Sequence, residues 1–181
     1  MKTIKQRIAM TALVAAFLGA GSATAMEGSV GLHFADFDDL DSGVGVYGHL
    51  DVMPMVRLRG EYTSVDHLDL LGWSGAYVLE FNEQLDMEFG GFYQFWDFDG
   101  PFEDDVYGIY GRGNFSVMEE LSLYGELRFS MFDNLDDEEV SVGLGANYAI
   151  TDQFSADFGA EVYTGDAIDQ TFIRLGARFH F

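Results

Sequence analysis

The sequence predicts an all-β protein, a transmembrane antiparallel up-and-down β-barrel of ten strands, with eight as the alternative count. Three observations carry this. Apolar residues alternate with period two almost throughout residues 26–181, the signature of strands with two unlike faces. Charge is sorted between those faces. The connections then alternate between short and long. Nowhere past residue 25 are there 18 consecutive apolar residues, so a helical membrane protein is excluded.

Residues 1–25 come first and stand apart. Lys2, Lys5 and Arg7 precede an apolar stretch from Ile8 to Gly19, and Ala23-Thr24-Ala25 supplies the small residues a signal peptidase reads. The expectation is a cleaved secretory signal over 1–25 and a single barrel domain over 26–181. The chain has no cysteine, which removes disulfides, thiolate chemistry and a lipoprotein anchor.

The strands follow in order. One face takes Val30, Leu32 and Phe34, then Val44, Val46 and Leu50, then Val56, Leu58 and Tyr62. It continues through Trp73 to Phe81, Leu85 to Phe95, Tyr107 to Phe115 and Leu121 to Met131. The last three runs are Val140 to Ile150, Phe154 to Val162 and Ile173 to Phe181. This face carries no charge and is rich in Phe, Tyr and Trp near the strand ends, as a lipid-facing band with aromatic girdles requires. Short connections are expected at Asp51–Pro54, Asn82–Gln84, Val117–Glu120 and Thr151–Gln153. Longer acidic loops are expected at Asp36–Gly43, Thr63–Leu71, Asp97–Asp105, Asp133–Glu139 and Thr164–Gln170.

The opposite face holds Arg57, Arg59, Glu61, Glu80, Glu88, Arg112, Glu126, Arg128, Asp157, Glu161, Arg174 and Arg178. These six arginines are all the basic residues beyond position 25, and every one falls on the polar face. Charges inside a narrow lumen need partners, so an ion-pair network is expected there. Phe92, Trp96, Tyr110, Tyr124 and Tyr163 share that face and would take up space. The reading therefore favours a filled, structural lumen over a selectivity lining for a pore.

Acidity is the second constellation. The whole chain carries 31 acidic against 9 basic residues, a formal charge of −22. Nucleic-acid binding needs a basic footprint and is excluded. Asp36, Asp38, Asp39 and Asp41 cluster in the first long loop. Asp97, Asp99, Glu103, Asp104 and Asp105 cluster in the third, and Asp133, Asp136, Asp137, Glu138 and Glu139 in the fourth. Carboxylate oxygens suit hard divalent cations, making these loops candidate cation-binding sites, although the spacing is not that of an EF-hand. A solvated, self-repelling rim is the favoured reading. No other cofactor is expected. The histidines are His33, His49, His67 and His180, and none has a catalytic spacing. Of these, His33 and His49 are expected to face the lumen beside Tyr47.

A signal-like leader, amphipathic strands, alternating connections and the final run Arg178-Phe179-His180-Phe181 resemble the small, porin-like bacterial outer-membrane β-barrel superfamily. In that superfamily a last strand with apolar residues at alternate places and a terminal Phe is read by the barrel assembly machinery. Ile173, Leu175, Ala177, Phe179 and Phe181 match the pattern. The resemblance implies residence in the outer membrane with both termini periplasmic, contact with lipid and lipopolysaccharide, and a monomer. It is one of architecture, shared by many functions. The expected role is non-enzymatic and structural, with acidic loops as an interaction surface. A narrow channel for small solutes or ions is the alternative, and an outer-membrane enzyme ranks third.

Overall fold

In the computed structural model, the described residues are 26–38, 40–65, 67–98, 103–134, 137–164 and 170–181. The expected signal at 1–25 lies outside them, as do Asp39, Asp99 and Asp136. Ten strands are present, in the expected number: β1 (Glu27–Phe37), β2 (Leu40–Met53), β3 (Val56–Val65), β4 (Leu68–Asn82) and β5 (Leu85–Phe98). They are followed by β6 (Glu103–Met118), β7 (Leu121–Phe132), β8 (Asp137–Ala149), β9 (Phe154–Tyr163) and β10 (Thr171–His180). Each pairs antiparallel with its chain neighbours, and β1 closes on β10 from Ser29↔His180 to Phe37↔Phe172. Closure leaves no strand edge with unpaired backbone groups, the condition for a β-structure in lipid.

The short turns lie where the sequence put them, for local reasons. Asn82 Oδ1 accepts hydrogen bonds from the backbone N–H of Gln84 (2.9 Å) and Leu85 (3.0 Å), and Thr151 Oγ1 does the same for Gln153 (3.3 Å) and Phe154 (3.1 Å). Register shifts at Asp51/Met53, Glu80/Asn82 and Ser116/Met118 all sit at this turn end, where bulges end the pairing.

The opposite end differs from expectation. Three of the five long loops are mostly strand, and the fourth is strand from Asp137 onward. β1 runs to Phe37 and β2 begins at Leu40, and β3 and β4 are separated by two residues only. The ladder continues through Asp97↔Glu103 and Met131↔Glu138. Only the last connection, from 164 to 170, matches the length read from sequence.

The reason is an inversion of polarity along each strand. Within the bilayer span the outward residues are apolar and open, as at Leu32, Ile109, Leu144 and Leu175. Two residues further toward the loop end, the same face turns acidic: Phe34 gives way to Asp36, Leu71 to Asp69, Phe95 to Asp97, Tyr107 to Asp105 and Val140 to Glu138. The inward face inverts in the other sense. Phe37, Val65, Leu68, Leu70, Trp96, Val106, Phe132 and Tyr163 form one buried cluster there, with Phe98 and Phe172 packed against it. Outside the bilayer a strand's outer face meets water and takes carboxylates, while its inner faces gain about 1.5–3 kcal/mol per fully buried large apolar side chain.

Candidate functional site: a charged lumen beneath an aromatic cluster

Strand alternation places the arginines. Arg57, Arg59 and Glu61 point inward from β3, Glu126 and Arg128 from β7, Asp157 and Glu161 from β9, and Arg174 and Arg178 from β10. Together they line a cavity of about 300 Å³ in the barrel interior. That is room for a group of waters. The lumen is therefore not filled, which corrects the sequence-based preference. Of the large inner residues, Trp96 and Tyr163 are gathered at the loop end, and Phe92 and Tyr110 join their cluster from below. The space beneath stays open.

The charges are paired across strands. Glu88 has a fully buried side chain, accepts from Arg57 Nη1 at 2.8 Å and forms an ion pair with Arg59 Nη2. Arg57 also forms a two-point contact with Asp51, Nε–Oδ1 2.6 Å and Nη2–Oδ2 3.0 Å. Glu126 joins Arg128 Nη2 (2.7 Å) to Arg112 Nη1 (3.6 Å), and Arg128 Nε lies 3.8 Å from Glu161. Glu161 accepts from Ser141 Oγ at 2.6 Å. Arg174 Nη1 meets Glu61 at 3.4 Å, and Arg178 Nη2 meets Asp157 at 3.0 Å, where Tyr47 OH also donates.

Aromatic rings hold the guanidinium groups from the side. Arg112 lies 3.7 Å over Tyr124, Arg128 4.8 Å over Phe92, Arg178 4.9 Å over Tyr47, Arg174 5.5 Å over Phe172 and Arg59 5.9 Å over Tyr110. Even so, each of the six arginine side chains keeps 17–24% of its surface exposed, against 0% for Glu88. Glu88, Asp157, Glu126 and Glu161 are packed closer into the wall than the arginines, while Asp51 (26%) and Glu61 (24%) share the open volume with them.

Eleven of the twelve inner-face candidates enter this network. Glu80 does not: it is exposed near the turn and stands opposite Asp86, a like charge, and pairs with no arginine among the described residues. Asp51 takes part instead, although the sequence reading assigned it to a turn. Its signal was there, since Tyr47, His49 and Asp51 continue one alternation. Asn114, also missed, donates to Asp86 (2.6 Å) and Glu88 (3.2 Å).

The acidic candidates are dispersed. Asp36, Asp97, Glu103, Asp105, Asp133 and Glu138 occupy the outer fringe of the loop end, with Tyr93 OH donating to Asp105. Asp38 is exposed in the first hairpin. Asp104 and Glu139 instead point inward and are buried, because both fall on the parity of the aromatic cluster. Asp41 and Asp137 lie in strands, and their side chains are outside the described residues. Among the described residues, no three acidic or histidine side chains converge on a point that could hold a metal ion.

Three histidines are lumenal. His33 hydrogen-bonds Thr63 Oγ1 (2.9 Å) and tilts against the Tyr47 ring at 5.2 Å. His180 meets Ser155 (2.9 Å), and His49 meets Ser29 (2.9 Å) and lies 4.0 Å from Asp51. Ser29, His49 and Asp51 are the residue types of a catalytic triad, but Ser29 is fully buried and both Asp51 oxygens belong to Arg57. His67 is exposed in the second hairpin. On β10, Ile173 and Leu175 face lipid, and Phe179 packs between Phe154 (5.3 Å) and Phe181 (6.4 Å).

Comparison with known proteins defines the class. The fold is that of the porin-like β-barrels of bacterial outer membranes, and its outward apolar band is that of a chain in a bilayer. No family model matches the sequence, and no curated protein matches it. Among solved structures it is similar to the KdgM porin in complex with disordered oligogalacturonate, at 14% identity and a TM-score of 0.58, over 84% of this chain and 99% of that one. The NanC porin matches at 9% identity and a TM-score of 0.56, over 83% and 98%. The β domain of the Bordetella autotransporter BrkA matches equally well, at 11% identity and a TM-score of 0.56, over 86% and 99%. Porins and an autotransporter domain thus lie at the same structural distance, and function has to be argued from the lumen.

Proposed function

We infer that the protein is a narrow, non-enzymatic outer-membrane channel for small polar solutes or ions, acting as a monomer with both termini in the periplasm. One observation carries the reading: a 300 Å³ cavity into which six arginines project with part of their surface free. A purely structural ion-pair core would close over its guanidinium groups, since desolvated charge is costly and packing offsets it. Rings of charged side chains facing water are how pores discriminate among ions. That the KdgM porin was solved with an oligogalacturonate supports reading a barrel of this fold as one that holds a solute. Here the arginines are matched by carboxylates, which suits small ions and mixed-charge solutes better than a long polyanion. Residues 1–25 act in this reading as an export signal, and the alternate apolar positions ending at Phe181 as the assembly signal.

The test is single-channel recording of the folded protein in a planar bilayer. The reading expects discrete, salt-dependent steps, with Arg128→Ala moving the reversal potential in a salt gradient toward greater cation preference. Steps whose selectivity ignores Arg128, Arg174 and Arg178 alike would overturn the assignment of the lumen as the selective path.

A further inference from the structure

Toward the loop end the lining of the charged cavity includes Phe92, Gln94 and Tyr110. Beyond Gln94 along β5 stands Trp96, which is 2% exposed, with Phe132 (5.8 Å) and Tyr163 (6.4 Å) edge-on to it and Phe98 at 6.1 Å. Just below lies a second cavity of only about 20 Å³, between Phe37, Leu70 and Phe172 on one side and Glu61, Gln94 and Arg174 on the other. That is space for about one water. A hydrated ion does not fit that space, and the aromatic cluster beyond it adds an apolar barrier of the kind that blocks conduction by dewetting.

The constriction is tied to the charged network. Trp96 Nε1–H donates to Gln94 Oε1 at 3.3 Å, and Gln94 Nε2 donates to Glu61 Oε1 at 2.9 Å. Glu61 Oε2 accepts from Arg174 Nη1 at 3.4 Å. The Arg174 guanidinium lies over Phe172, whose ring packs on Phe37 at 4.4 Å. One chain of contacts thus links an arginine in the open chamber to both sides of the aromatic cluster. Gln94 is buried on the inner face of β5. Its two hydrogen bonds join an indole to a carboxylate that is itself paired, and so fix the ring across the bore.

We propose that the Trp96 cluster is a closed gate, held shut by the Gln94–Glu61–Arg174 latch. The gate rests on the channel reading. Opening needs the Trp96 and Phe132 side chains to turn aside within strand ends that extend past the bilayer, with the ladder below intact.

Single-channel recording on the full folded protein tests it with two substitutions. Wild type is expected to dwell closed with brief openings. Trp96→Ala is expected to raise both the open fraction and the step size. Gln94→Leu, close in volume and removing only the two hydrogen bonds of Gln94, is expected to raise the open fraction about fivefold, the worth of the Trp96–Gln94 bond that opening breaks, with the step size unchanged. Because Gln94→Leu leaves the packing in place, it decides the matter even where Trp96→Ala fails to fold. Steady full conductance in wild type, or open fractions unchanged in both variants, would overturn the gate and leave the channel standing. Silence in wild type and both variants, in barrels shown folded by heat-shifted gel mobility, would overturn the channel itself.

Discussion

Arginine placed at successive outward positions of β8 should trace the bilayer as a depth profile. Leu144 is 63% exposed and lies in register between Gly125 and Ala160 on the lipid face. It is three outward positions from Glu138, where that face turns acidic, and three from Ile150 at the turn. Two residues of strand rise about 6.6 Å, or about 5 Å along the membrane normal at a tilt near 40°. The band from Val140 to Ile150 is then about 25 Å tall, the height of an outer-membrane apolar belt, with Leu144 near its centre. Leu144→Arg should therefore cost about 2–4 kcal/mol, and Val140→Arg, beside the carboxylate fringe, about 0–1 kcal/mol. The first is roughly a 30- to 1000-fold loss in the folded-to-unfolded ratio. Denaturant titration in phosphatidylcholine vesicles, followed by tryptophan fluorescence, measures it. A flat profile, or a Val140→Arg penalty equal to that at Leu144, would refute the placement of the membrane boundary between Val140 and Glu138.

The same titration separates members of the lumenal set. Glu88→Gln leaves Arg57 and Arg59 facing each other without their shared negative charge and should cost about 3 kcal/mol, whereas Glu80→Gln, exposed beside Asp86, should be near neutral. Trp96→Ala opens a void confined to the loop end, so hydrogen exchange should quicken at Phe98 and Val106 and stay unchanged at Gly91 and Ile109. Removing Phe181 deletes the paired Gly28–Phe181 backbone bonds (3.1 Å each) and its ring contact with Phe179. The truncated chain should still refold in detergent, while less of it reaches the membrane folded in cells.

The lipid face dictated what the sequence could show. A side chain such as Leu144 has no partner but lipid, so its identity follows from the strand period and little else, and ten strands and four turns can be read directly. At the loop end the period does not stop; it changes sign. Asp97 looks like the start of a polar loop until the neighbouring strand shows that it faces out against Glu103, while Trp96 beside it faces in. The lumen was legible in its charges and not in its pairings. Glu88 on β5 reaches Arg57 and Arg59 on β3 across β4, a choice set by strand tilt and side-chain length, neither of which one strand encodes. The open volume was illegible for the same reason. Whether Phe92, Tyr110 and Trp96 fill the bore or collect at one end depends on their relative heights around the barrel.

The central claim, that this barrel is a gated narrow channel, is tested most directly by single-channel current through Trp96→Ala beside wild type in one bilayer preparation. The account predicts brief discrete openings in wild type and sustained, larger ones in the variant, both dependent on salt. Folded barrels that carry no current in either form would contradict it.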